Sequence, residues 1–371
     1  MTDTPLLSPY HGTTLNLPNR IVMAPMTRYR ATETGVPLPI VADYYAQRAD
    51  AGLIVTEGIS PSQRGQSDWR IPTLESAAHV AGWRSVTSAV HAAGGRIYAQ
   101  LMHGGRKGHP LARVLGDVPA GPSAVTVPGM LHTPGGKVEP VTPRAMTLDD
   151  IDQAIEDHLI AARNAIAAGF DGVELHGANS YLIHQFLADN TNLRRDHYGR
   201  GSVTDNIRFA VEVTTAVAEA IGANRTALRL SPGNPQFGMS ESNPAPVYRA
   251  LITEVNRLGL SYLHLTDNDD YPALADLAHR WDGTLIANVG ENRDATTVSA
   301  AETALATPGV DLVSVGRAYI ANPDFVDRVA AKAPMNSIDA ANLYTQSATG
   351  YTDYPRWSAA AAEMAPAMTT G

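Results

Sequence analysis

The sequence predicts an α/β fold, a (β/α)8 barrel of the TIM type. Three observations predict it. Short β-branched runs alternate with longer amphipathic stretches, the pattern of parallel strands joined by crossover helices. Eight such pairs follow one another along the 371 residues, and eight pairs favour a closed barrel over an open sheet. Polar residues and glycines gather just past the ends of these strands, the side on which barrel active sites are built.

The elements run in order. A strand over Arg20–Ala24 leads to a helix over Ile40–Ala49, and Leu53–Glu57 leads to Ala77–Ala92. Arg96–Leu101 is followed, after a long gap, by a helix over Leu148–Ala168. Gly172–Leu175 precedes Asp205–Ile221, and Thr226–Leu230 precedes Ala245–Leu258. Tyr262–Leu265 pairs with Tyr271–Arg280, Thr284–Asn288 with Arg293–Ala306, and Leu312–Val315 with Asn322–Ala330. Some ends are marked. Thr147 before Leu148-Asp149-Asp150 is an N-cap followed by acids in the first turn, so these paired acids read as a helix start and not a catalytic dyad. Gly169 and Gly259 close their helices.

The whole chain, 1–371, reads as a single barrel domain with three additions. Residues 1–18 precede the first strand and are expected to cap the barrel floor. Residues 104–147 follow the third strand and are rich in Gly and Pro; a connection this long at a strand end is expected to be a lid. Residues 358–371 form an Ala-rich, low-complexity tail with no assigned function.

Composition narrows the function. Apolar residues make up 44% and charged residues 18%, enough to build a large core. The net charge of -9 argues against a surface that neutralises a phosphate backbone, so no nucleic-acid partner is expected. Cysteine is absent, which removes disulfides, thiolate metal sites and cysteine nucleophiles. No apolar run is long enough to span a membrane, and the start of the chain lacks the basic and apolar stretches of a signal peptide. A cytoplasmic protein, monomer or homodimer, is the expectation. No G-x-G-x-x-G is present: Gly199 and Gly201 form a G-x-G, but Thr204 stands in the third place. Walker-type, H-E-x-x-H and G-x-S-x-G motifs are also missing.

The strand ends carry the informative residues. The first runs into Ala24-Pro25-Met26-Thr27-Arg28, and the third contains Gln100-Leu101-Met102-His103-Gly104-Gly105-Arg106. The fourth continues as His176-Gly177-Ala178-Asn179-Ser180-Tyr181, with His184 and Gln185 a turn further on. Arg229 interrupts the apolar fifth strand. The eighth ends in Gly316-Arg317, and the C-terminal region carries Leu343-Tyr344 and Gly350-Tyr351.

From about Asn19 to Pro355 this series, in this order, resembles the old yellow enzyme family of FMN-dependent ene-reductases. Thr27 matches its classical branch. The resemblance implies FMN above a (β/α)8 barrel, reduced by NADPH or NADH, and then reduction of an activated C=C bond. It implies Ala24, Pro25, Met26, Thr27 and Gly58 along the flavin, Gln100 at its pyrimidine end, and Arg229 beside N1 and O2. Gly290, Gly316 and Arg317 are implied at the phosphate and Tyr344 at the dimethylbenzene ring. His176 and Asn179 are implied at the substrate carbonyl, Tyr181 as proton donor, and Met102 and Phe237 along the substrate. The chain departs from the family where Met102 replaces the usual Trp, where Tyr198-Gly-Arg-Gly-Ser202 is one residue longer, where Thr204-Asp205-Asn206 replaces Glu-Asn-Arg, and where Glu291 follows Gly290.

The physical chemistry of these residues agrees with that list. Gly290 and Gly316 follow the seventh and eighth strands, where barrel phosphate sites form, and Arg317 adds a bidentate donor. Arg229 in an apolar strand is costly unless paired; the bland alternative is a structural ion pair, with Glu57 as the candidate partner, and the functional one is a cation beside the negative charge of a reduced flavin. Gln100 can both donate and accept. Two donors at one carbonyl oxygen stabilise a developing enolate, and a phenol can protonate its carbon. His184 and Gln185 read as structural, Met102, His103 and Arg106 have core or lid positions as their bland reading, and His103 receives no functional role. The expected function is reduction of α,β-unsaturated carbonyl compounds, with nitro compounds and quinones as further acceptors. The competing class is a metal- or phosphate-dependent barrel hydrolase or lyase, which needs converging His, Asp and Glu ligands; a non-catalytic flavin carrier fits poorly with Tyr181.

Overall fold

A computed structural model describes residues 4–268, 270–289 and 296–358. Gly290 and Glu291, and all of the tail but its first residue, lie outside the described residues.

Eight parallel strands close into a barrel: β1 (Ile21–Met23), β2 (Leu53–Ile59), β3 (Ile97–Leu101), β4 (Gly172–Gly177), β5 (Thr226–Leu230), β6 (Tyr262–Thr266), β7 (Leu285–Asn288) and β8 (Leu312–Val315). Each strand pairs with its neighbours in sequence and β8 returns to β1. The main outer helices are α1 (Ile40–Ala46), α2 (Ala77–Ala92), α3 (Leu148–Ala167) and, after a short α4 (Leu182–Leu187), α5 (Val203–Ile221), α6 (Pro244–Asn256), α7 (Ala273–Leu277) and α8 (Val298–Leu305). The last crossover is two helices, α9 (Arg317–Ala321) and α10 (Phe325–Ala331). The expected single helix from Asn322 is therefore displaced. Pro323 has no N–H to give, and the chain breaks there. The start of α3 forms the capping box that Thr147 and Asp150 promise. Gly169 adopts φ +93° just beyond it, in the region that favours glycine. Among the described residues no helix is long and apolar enough to cross a membrane.

Side chains on a strand alternate, so every second residue faces the barrel interior. The lower interior is apolar: Val22, Leu53, Val55, Tyr98, Ala227, Tyr262, Ile286 and Leu312 form one buried cluster. A hairpin pairing Tyr10–His11 with Asn16–Leu17 adds Tyr10, Leu15 and Leu17 to it. One layer up, the interior turns polar. Gln100, Glu174, His264 and Ser314 are all buried there, in strand positions directly above the apolar layer. The register between β2 and β3 shifts between Val55 and Gly58. There the Gln100 N–H bonds the Thr56 hydroxyl at 3.0 Å and the Glu57 N–H bonds the Tyr45 hydroxyl at 2.8 Å. Such an irregularity re-aims the strand end toward the site.

Residues 104–147 hold a pair of two-residue strands, Ala120–Gly121 with Arg144–Ala145, and a hairpin of Leu131–Thr133 with Gly136–Val138. The segment after α10 is tied down by arginines. Arg28 and Arg30 donate to the Leu343 carbonyl at 3.2 and 2.7 Å. Fully buried Arg48 donates to the Tyr351 carbonyl at 3.4 Å and, in α9, to the Tyr319 and Ile320 carbonyls at 3.0 and 2.8 Å.

Candidate active site

At the C-terminal ends of the strands lies a cavity of about 350 Å³. It is lined by Pro25, Met26 and Thr27 after β1, Gly58 in β2, Gln100 and Met102 at β3, His176, Asn179 and Tyr181 after β4, and Arg229 in β5. Phe237, Arg317 and Tyr344 complete the ring. Residues distant in sequence are thus brought to one cavity by barrel closure. Ala24 is buried behind it beside Gly316: a Cβ built on Gly316 would stand 3.8 Å from that of Ala24.

The floor is the polar layer. The Gln100 amide donates to Glu174 Oε1 at 2.8 Å, and Glu174 Oε2 lies 2.9 Å from His264 Nδ1. His264 Nε2 meets the Ser314 hydroxyl at 2.8 Å. Burial alone pushes the Glu174 carboxyl up, but His264, Arg229 and Gln100 outweigh it and hold its pKa below the ordinary value. Arg229 donates to Asn288 Oδ1 at 2.8 Å, while its Nε is buried without a partner. The ion-pair alternative for Arg229 named the wrong acid. Glu57 instead accepts the Arg28 N–H at 3.1 Å, and the carboxylate acting on Arg229 is Glu174.

The wall after β4 is held in an uncommon backbone. Asn179 and Ser180 have φ of +51° and +68°. Neither is glycine, so this conformation is sustained by its surroundings. The Asn179 N–H donates to the Ser231 hydroxyl at 2.8 Å, and that of Ser180 to His184 Nδ1 at 3.0 Å. Gln185 donates to the Ser180 carbonyl at 2.6 Å and to that of Gly104 at 3.0 Å. His184 and Gln185 are the structural supports their positions suggested. Tyr181 then precedes α4, its ring 4.7 Å from that of His176. His176 is 5% exposed with Nδ1 unpartnered. Burial, then the nearby Arg229, holds its pKa well below the ordinary value, so the imidazole is neutral.

Met102 is 2% exposed and belongs to a small apolar cluster with Ile71 and Tyr181. A Cβ on Gly58 would come within 2.3 Å of its sulfur, so this glycine makes room for the thioether. Tyr344 is 54% exposed at the rim and packs 5.2 Å from Tyr29.

Sequence reasoning missed Tyr29, Asp68, Lys107 and Gln236 in the lining, and Glu174 and His264 beneath it. Glu174 had a usable signal: it stands two residues before His176 and must share its face. Lys107 directly follows the Gln100–Arg106 motif. Asp68 and Gln236 lie in loops with no such mark. Among the described residues no group of three or more His, Asp and Glu is placed to hold a metal ion.

The chain is similar to known proteins along most of its length. The model of the NADH:flavin oxidoreductase / NADH oxidase family matches residues 5–336. A chanoclavine-I aldehyde reductase of Penicillium roqueforti is 40% identical over 364 residues, covering 95% of this chain and 96% of its own. A 12-oxophytodienoate reductase of Oryza sativa subsp. japonica is 36% identical over 380 residues, 95% of each. Among solved structures, the old yellow enzyme homologue of Zymomonas mobilis superposes with a TM-score of 0.89 at 40% identity, over 94% of this chain and 99% of that one. Morphinone reductase in complex with tetrahydroNAD gives 0.89 at 39% identity, over 96% and 98%.

Proposed function

The chain belongs to the NADH:flavin oxidoreductase / NADH oxidase family, the old yellow enzymes, and from that premise we propose how its own residues carry the FMN-dependent reduction of activated alkenes by NAD(P)H. The observation that carries the reading is a single cavity that gathers Gln100, Arg229 and Thr27 with His176, Asn179 and Tyr181; His176 and Arg229 are register partners on adjacent strands.

The donor set fits a flavin. Arg229 keeps a buried Nε without a partner in the cavity wall, an arrangement that favours an anionic acceptor there. The chemistry supplied by bound FMN is hydride transfer, from the nicotinamide and then to the β-carbon of the alkene. Pro25, Met26 and Thr27, with Ala24 and Gly58, would border the reactive edge. Gln100 would hold the pyrimidine end and Arg229 the N1 and O2 side. Gly316 and Arg317 would hold the phosphate together with Gly290, and Tyr344 would cover the dimethylbenzene ring.

Neutral His176 has one N–H to donate, and Asn179 an amide. Aimed at one carbonyl oxygen, they draw electron density from the alkene and stabilise the enolate that forms. Tyr181 gives the α-carbon its proton. Met102 and Phe237 border the substrate. Nitro compounds and quinones are acceptors the same donors can serve.

The test is direct. Purified protein should be yellow, release FMN on denaturation, and lose and regain flavin absorbance when given NADPH or NADH and then 2-cyclohexenone. A colourless protein that takes up no added FMN overturns the reading.

A further inference from the structure

We propose that Lys107 is the positioning residue of Tyr181, fixing the direction of the phenolic proton and compensating the charge left when that proton is given away. This rests on the reading of Tyr181 as the proton donor. Lys107 enters from the 104–147 segment, and its Nζ donates to the Tyr181 hydroxyl oxygen at 3.0 Å. An ammonium has three N–H donors and no acceptor. The Tyr181 oxygen must therefore accept from Lys107, and its own O–H must point elsewhere. His176 flanks the ring, and Met102 and Ile71 pack against it, so the O–H is left to the cavity.

The cation is itself held. Asp68 Oδ2 lies 3.7 Å from Nζ. Nζ also stands 4.4 Å from the Phe237 ring centroid and 4.8 Å from that of Tyr181, within cation–π range. Burial works against its charge, but Tyr181 and Asp68 outweigh burial and hold the Lys107 pKa above its ordinary value. The other titratable groups near Tyr181 add little charge. His176 is neutral, Asp68 is paired with Lys107, and burial, then Asp68, keeps Tyr29 protonated.

The step balances around this contact. The β-carbon receives hydride, and the π pair of the alkene moves onto the carbonyl as an enolate. The Tyr181 O–H bond then breaks, its hydrogen forms the α-carbon C–H bond, and the bonding pair stays on the phenolic oxygen. That oxygen is now an anion 3.0 Å from an ammonium. Solvent restores the proton before the next turnover. A Lys107 that served only as an ion pair for Asp68 would affect stability, but not this step selectively.

The experiment compares two acceptors in FMN-loaded enzyme with NADPH, rates counted per bound flavin. 2-Cyclohexenone needs a proton on carbon; 1,4-benzoquinone takes its protons on oxygen. The readout is the ratio of enone to quinone turnover. Lys107→Met and Lys107→Gln should lower this ratio by roughly tenfold or more, a fraction of the roughly 10²–10⁴ that general-acid catalysis supplies. Lys107→Arg, which keeps the cation, should recover most of it. Tyr181→Phe sets the scale. If Tyr181→Phe lowers the ratio and neither neutral Lys107 variant does, the Lys107 role is wrong and the proton-donor role stands. If Tyr181→Phe leaves the ratio unchanged, the donor reading fails and the Lys107 role with it.

Discussion

The Gln100 side chain donates to Glu174 Oε1 at 2.8 Å, across adjacent strands β3 and β4 at a matched register position. The residue assigned to the flavin's pyrimidine end is therefore oriented from the side by a carboxylate that also meets His264. With one N–H committed to Glu174, the amide is fixed against flipping.

Removing that carboxylate should be expensive. Glu174→Leu leaves His264, Gln100 and Arg229 without their common partner and should cost about 3–5 kcal/mol, the usual penalty for breaking a buried charged group from its partners. Glu174→Gln keeps the shape and one acceptor, and should lose less stability but retain FMN more weakly. Urea unfolding and FMN titration of both variants check this; a Leu variant of unchanged stability would contradict it.

Acid should destabilise the fold. Burial holds His103, His158, His176 and His264 below the ordinary histidine pKa. The unfolded chain takes up these protons from about pH 6.5 downward while the folded one does not, so their contribution is present above that pH and lost as pH falls. Burial raises Glu57 and Asp50 to about 7, and these two act in the opposite sense between about pH 7 and 4. The four histidines outnumber them, so urea midpoints should fall from pH 7 to pH 5.5, and Glu57→Gln should steepen the fall. Stability that rises on acidification would contradict this.

Met102 lines the cavity and also packs on Gly58 and Tyr181. A thioether yields to a bulky substituent more readily than an indole does. Met102→Trp should keep its flavin and lose kcat/KM selectively for bulky enones, by roughly 10–100-fold for contact changes of about 1–3 kcal/mol. A variant that melts early and loses small and bulky enones equally would place Met102 in the core.

Much of this was legible in the sequence. Thr226–Leu230, Leu312–Val315 and Ala77–Ala92 begin and end where the residue pattern places them. The helix over Leu182–Leu187 was not legible, since six residues are too few for a periodic signal. Glu174 carries only the signal of sharing a strand face with His176, and His264 has none; their pairing arises only when barrel closure brings the strands together. Lys107 was missed for a related reason. Its partner Tyr181 is 74 residues away, and only the path of the 104–147 segment joins them.

The central claim is that Tyr181 supplies the substrate's proton while Arg229, lining the same cavity, holds the flavin. Anaerobic rapid mixing of the FMN-loaded Tyr181→Phe variant tests it most directly, because the two half-reactions are read separately in one flavin spectrum. The account predicts flavin reduction by NADPH near the wild-type rate, and reoxidation by 2-cyclohexenone slowed by roughly 10²-fold or more, as expected for loss of a general acid. A variant slowed only in the nicotinamide half-reaction, with enone reoxidation intact, would contradict it.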